Sequence, residues 1–312
     1  MTGRPLARTL RAMHTTHRPP FAAIMIVPVI AALVMTLFAW PSARIGPRDL
    51  PVGVVGAQQL PATAGFEVHR YRGEAVAREA IKDREVYGAL AGSKILIASA
   101  ASPAVAQMLT RGAQGMPVED VVPATKASNA LAASVFPLVL AGIMTGTLTS
   151  LLAAGFWRRT GLAVVGSVLA GLAATLILQS WLDVVGGDWW ANGAALSLTV
   201  IAIASVVTGL EALLGKAGIL ASAVTMVFIG NPFSGVATSP EMLPTGAGTL
   251  GRLLPPGAGG NLLRSTGFFD GAAAGGHVAV LVTWALTGLA LLGLAALRGR
   301  RRVPVGKPVY SA

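Results

Sequence analysis

The residues that usually carry chemistry are few in this chain and poorly spaced for it. The four histidines are His14, His17, His69 and His277. His14 and His17 can share a helix face, but no third ligand lies nearby, and no metal site is expected. Cysteine is absent, which removes disulfides, thiolate metal sites and cysteine nucleophiles. Neither G-x-S-x-G nor H-E-x-x-H occurs, so the common hydrolase and metalloprotease arrangements are missing. The string GLEALLGKA, from Gly209 to Ala217, imitates a phosphate-binding loop. It has one residue too many between its glycines, and Ala217 stands where Ser or Thr would hold magnesium. It reads as a tight turn between two helices. The expectation is a chain that is not an enzyme and has no cofactor.

Ion-coupled transport would place ionisable groups within membrane spans. Asp183 and Asp188 instead adjoin Trp181, Trp189 and Trp190, a grouping that reads as an interfacial aromatic belt. Glu211 falls at the end of an apolar run, and Gln179 is the one large polar group near a run's interior. A proton-driven carrier would show more.

The elements that hold these residues are set by composition. Of 312 residues, 54% are hydrophobic and 12% charged, about half the charged share of a soluble domain. Mean hydropathy is +0.67. A bilayer crossing needs about 20 mostly apolar residues. Six runs approach that length: residues 21–40, 130–157, 161–182, 193–210, 218–236 and 277–297. The fifth is interrupted by Asn231-Pro232, so its continuation would need protein or water to satisfy freed backbone groups. The expected fold class is therefore an α-helical polytopic membrane protein of six transmembrane helices, with a small external α/β domain between the first two. Residues 1–41 form a basic cytoplasmic tail and first helix, and 42–128 the external domain. Residues 129–312 form a five-helix membrane domain, with a broken external segment at 240–276 and a basic tail.

Charge sets the expected orientation. With the N-terminus inside, the cytoplasmic segments hold twelve Lys and Arg against the single acid Glu211, and the external segments balance to zero. The whole excess of +11 then lies on one side, as the positive-inside bias requires. It faces anionic lipid headgroups rather than nucleic acid. A cleaved signal peptide is the competing reading of the N-terminus. The apolar run exceeds the usual length of about 7–15 residues, and Trp40-Pro41-Ser42 is a poor cleavage site. A multi-pass protein of the plasma membrane with both termini cytoplasmic is expected.

Within 42–128 the pattern reads strand 50–55, strand 66–71, helix 74–84, strands 86–91 and 94–98 joined at Gly92-Ser93, then a helix from Pro103 to about residue 114 with Ser102 as N-cap. A domain this small is marginal alone and should pack on the membrane domain or a second copy. Further on, residues 248–254 and 260–269 are two apolar pieces in a Gly- and Pro-rich segment, fitting two short helices that turn back toward the membrane. Gly142-Ile-Met-Thr-Gly146 and the pair Ser167 and Gly171 have the spacing of close helix contacts, although 38 glycines would produce such matches by chance. Pro28 and Pro137 would kink the first two spans.

Several strings together resemble the ABC-2 type membrane permeases, in the branch related to the phage infection protein. They are DLPVGVV from Asp49, AREAIKDREVYG from Ala77, LEALLGKAG from Leu210, GNPFSG from Gly230 with EMLP from Glu241, and LLPPG from Leu253 followed by NLLR from Asn261 and FFD from Phe268. The resemblance implies a permease subunit of an ATP-driven exporter of an amphiphilic or envelope-related substrate, working as a homodimer or paired permease with a separate ATP-binding subunit. It implies an ATPase-contact loop at Trp157, Arg158, Arg159 and Thr160. It also implies an external gate in the broken segment, with Asn231, Pro232, Pro255, Pro256, Arg264, Phe268 and Phe269 as candidates. Residues 6–17 would lie along the inner membrane surface, or simply anchor to lipid. A packed cap without substrate contact is the plainer reading of the gate. The functional alternative is a non-transporting receptor or scaffold acting through its external domain.

Overall fold

The structure, a computed structural model, describes residues 20–57 and 65–300. The tails at 1–19 and 301–312, with the amphipathic stretch 6–17, lie outside the described residues. Among the described residues, five helices are long and apolar enough to cross a membrane: α1 (Pro20–Ala43), α4 (Ala130–Leu152), α5 (Phe156–Thr175, prolonged by a π-helical turn Leu176–Trp181), α6 (Trp189–Leu214) and α10 (Ala274–Arg300). The protein is thus a polytopic helical membrane protein. The fifth expected span is instead a shorter unit, α7 (Lys216–Ala223) running into a π-helical turn Val224–Gly230. At 1.5 Å per residue it reaches about 22 Å, short of the roughly 30 Å apolar core. It stops at Asn231-Pro232, where the missing proline N–H ends the ladder.

Helix α6 is the axis of the bundle, buried along most of its length from Asn192 to Gly209, with α4, α5 and α10 packed around it. Small residues permit that approach. A Cβ on Gly146 would stand 2.7 Å from the Ala204 carbonyl oxygen, and one on Gly171 would stand 2.4 Å from the Ser197 nitrogen. The spaced small residues of the second and third spans are therefore contact surfaces within one chain. Helix α1 meets the bundle mainly near its C-terminal end, where Phe38 and Trp40 make edge-on contacts with Phe228 and Phe233. Its apolar length from Ile24 to Met35 is otherwise exposed.

The α/β unit is a five-stranded sheet in the order β2-β1-β3-β4-β5. Its strands are β1 (Leu50–Val55), β2 (Phe66–Tyr71), β3 (Gly88–Ala91), β4 (Lys94–Ile97) and β5 (Val118–Asp120). All neighbours are parallel except the β3–β4 hairpin, which turns at Gly92 with φ +63°. Helices α2 (Glu74–Lys82) and α3 (Pro103–Gly112) complete the unit, and Ser102 caps α3 by accepting from the Val105 N–H at 3.2 Å. Strand β5 has no apolar run, only Val-Glu-Asp, so only its pairing with β4 reveals it.

Residues 231–272 join the two parts. Helix α8 (Ala247–Arg252) and helix α9 (Pro255–Phe268) fall on the two apolar pieces of this segment. Met242 completes a core with Leu50, Val52 and Val105, and Phe269 another with Ala77, Ile81 and Leu96. The small sheet thus draws part of its core from a segment far along the chain.

Candidate functional site

The first candidate is the end of the bundle away from the sheet. Trp157, Arg158, Arg159 and Thr160 are not a loop. Gly155, at φ +81°, lets the chain reverse after α4, and α5 begins at Phe156, so the four residues fall in its first turns. Trp157 is 83% exposed and packs edge-on to Phe156, and Arg158 is exposed. Arg159 turns inward. It donates to the carbonyl oxygens of Ala153 at 3.0 Å and Ser150 at 3.2 Å, and to the Glu211 carboxylate at 2.7 Å. The Thr160 hydroxyl is sealed and without a hydrogen-bond partner. A cleft of about 240 Å³ beside this ion pair is lined by Phe156, Arg159, Glu211, Ala212 and Leu292. The set expected to act together is therefore divided, with Trp157 and Arg158 presented and Arg159 engaged within the chain.

The second candidate is the joint at the sheet end. Asn231 closes the π-helical turn, its N–H donating to the Met226 carbonyl at 3.1 Å. A Cβ on Gly230 would meet Pro256 at 2.7 Å, so the end of that turn rests against the start of α9. Pro232 begins the chain's departure from the helix, and Pro255 and Pro256 occupy the first turn of α9, both buried. Proline is suited there because those N–H groups have no helical acceptor. Phe268 lies against both the bundle core and the sheet core, and Phe269 is buried in the latter. Arg264, 4% exposed, donates to the Val236 carbonyl at 2.8 Å and to Asn261 Oδ1 at 3.4 Å.

Sequence reasoning missed the partners of this joint. Arg84, just past α2, donates from Nη1 to the Asn261 carbonyl at 3.1 Å and to the Ser265 hydroxyl, and stands 5.2 Å from the Phe269 ring centroid. Tyr87 donates to Glu241 Oε2 at 2.9 Å, and Arg252 donates to Oε1 at 3.1 Å. Burial, then the Glu241 charge, push the Tyr87 phenol well above its ordinary range. Burial, then the neighbouring Arg84, pull Arg264 down to about 10. Both sides of the joint are thus stitched by polar groups from residues 48–102 to residues 238–265, including Ser102 to the Thr238 carbonyl and the Arg48 N–H to the Glu241 carbonyl at 2.9 Å.

Beside the joint, the π-helical turn of α5 presents Gln179 to Asn192, whose Nδ2 donates to Gln179 Oε1 at 2.9 Å. Thr266 of α9 donates to Asn192 Oδ1 at 2.6 Å. Asp188 caps α6 by accepting from the Ala191 N–H at 2.7 Å. These polar residues hold helices together.

The fold and site define a polytopic helical membrane protein in which a short buried helix, α9, is clamped between a bundle and an α/β unit. Comparison with family models, curated proteins and solved structures gives no match.

Proposed function

We propose that this chain is the transmembrane permease subunit of an ATP-driven, ABC-2 type exporter, working as a dimer with a separate ATP-binding subunit in the plasma membrane. The observation that carries the reading is α9. A short helix with buried Pro255, Pro256 and Arg264 closes one end of an otherwise apolar bundle, which suits a closed gate. At the other end, Trp157 and Arg158 stand free to receive a partner. In this reading the basic ends are cytoplasmic, the sheet is external, and α7 supplies the sixth crossing despite its length. The cargo is an amphiphile or an envelope-related molecule.

Two experiments test it. Affinity purification of the full chain from its native membrane should bring down an ATP-binding protein in stoichiometric amount. A reporter fused after Gln114 should be active only outside the cell. Purification without any ATPase, with the α/β unit holding an envelope partner instead, would replace transport by a receptor or scaffold role.

A further inference from the structure

The joint holds more positive charge than the protein neutralises. Arg84 and Arg264 both lie where the α/β unit meets α9, and both bond to Asn261, Arg84 to its carbonyl at 3.1 Å and Arg264 to its Oδ1 at 3.4 Å. The carboxylate that acts on this cluster is Glu241, and its two oxygens already serve Tyr87 and Arg252. Among the described residues no carboxylate forms an ion pair with Arg84 or Arg264. Burying a guanidinium without a counter-charge is costly, and proteins ordinarily place an acid beside it.

The donor count is also incomplete. Each guanidinium offers five N–H groups. Arg264 uses two, one of them in a long bond, and Arg84 uses two on Nη1. The remaining donors have no acceptor among the described residues. The nitrogens with no partner at all, Nε and Nη2 of Arg84 and Nε of Arg264, are also not sealed. Among the described residues, the side-chain atoms that are both sealed and unpaired are the hydroxyls of Ser150, Thr160, Ser167 and Ser239. Those three nitrogens therefore keep some exposure to solvent, mostly on the half-buried Arg84, while Arg264 is only 4% exposed.

We propose that Arg84 and Arg264 together form a binding site for an oxyanion, a phosphate- or carboxylate-type group, at the junction of the α/β unit and α9. Planar guanidinium forks match such groups in pairs, and the anion supplies the charge that the protein omits. Because one arginine belongs to each part, occupancy ties the α/β unit to α9, and loss of the anion loosens the joint. The group arrives either as a free anion or as the headgroup of an anionic amphiphile. The inference does not depend on an ATPase.

The test uses the full chain in uncharged detergent and follows the thermal midpoint by tryptophan fluorescence. Inorganic phosphate is titrated against chloride at equal ionic strength, and separately the micelles are doped with phosphatidylglycerol against phosphatidylcholine. The wild type should rise in midpoint with phosphate, with phosphatidylglycerol, or with both. Response to phosphate identifies a free anion as sufficient; response to phosphatidylglycerol alone identifies a headgroup. Arg84→Gln and Arg264→Gln should each weaken the apparent affinity by about tenfold or more, while Arg252→Gln should retain the response. If Arg264→Gln does not fold, Arg84→Gln decides. No response in the wild type, or an equal response in Arg84→Gln, overturns the site.

Discussion

Arg159, in the first turn of α5, donates at 2.7 Å to Glu211, in the last turn of α6, and each charge sits at the helix end that disfavours it. Helix N-termini favour anions and C-termini favour cations. The pair offsets both penalties at once. Arg159 also satisfies two carbonyls left open at the end of α4, so one side chain fastens three helices.

Removing either partner should therefore loosen this end of the bundle. The side chains are 17% and 23% exposed, so a cost of about 1–3 kcal/mol is expected for Glu211→Gln, and more for Arg159→Gln, which also abandons two carbonyls. The double variant should cost less than the two singles added together. Denaturant unfolding in detergent measures all three, and strict additivity would show that the pair is not coupled.

The closest approach of α10 to α6 depends on Gly288. A Cβ there would lie 2.3 Å from the Ser205 carbonyl carbon, and one on Gly209 would lie 2.4 Å from the Gly288 carbonyl oxygen. Backbone cannot yield as a side-chain tip can. Gly288→Ala should cost about 1–3 kcal/mol through overpacking. Gly275→Ala, at a position with open space, should be near neutral. Equal midpoints for the two variants would contradict this packing.

How much the sequence disclosed follows from which forces are local. The apolar lengths of α1, α4, α5, α6 and α10 are local properties, and four strands, the Ser102 cap and the turn at Gly92 are written in short strings. The interruption of the fifth apolar run is also local, since Asn231-Pro232 follows the π-helical turn that ends at Gly230, but the packing of that end against Pro256 of α9 is not written nearby. Arg159 looked like half of a free pair, since nothing in its neighbours announces Glu211, 52 residues away. Arg84 and Tyr87 were hidden for the same reason. Their partners Asn261, Ser265 and Glu241 lie more than 150 residues on.

One surface network has a definite pH signature. Glu119 of β5 accepts from Arg78 of α2 and from Lys94 of β4. The hydrogen bond from Arg78, then that from Lys94, hold its carboxyl down to about 2 from an ordinary 4.5. A carboxyl depressed on folding contributes stability that is complete above its unfolded value and is lost as pH falls through the folded one. The contribution of Glu119 should thus disappear between about pH 4.5 and 2. Carboxyl carbon NMR should place its midpoint at the lower value, and Arg78→Gln should raise it toward the ordinary range, with Lys94 still holding it partly down. A midpoint near 4.5 in the wild type would remove Arg78 from this role.

The exposed Arg158 gives the sharpest test of the proposed partner contact. Retention of a positive charge by the membrane orientation alone would make Lys and Arg equivalent at this position. A docked ATP-binding subunit would distinguish them, because an ammonium cannot reproduce the two parallel hydrogen bonds of a guanidinium on a carboxylate. Arg159 must be left intact in this experiment, since its donors are already committed to Ser150, Ala153 and Glu211, and Arg159→Lys should lower the unfolding midpoint by itself. Arg158→Lys should leave membrane insertion, abundance and unfolding midpoint unchanged. It should weaken association with the copurifying ATPase by about 1–3 kcal/mol, the worth of a hydrogen bond to a charged group. Recovery of the ATPase at wild-type levels with Arg158→Lys would assign this arginine to orientation alone.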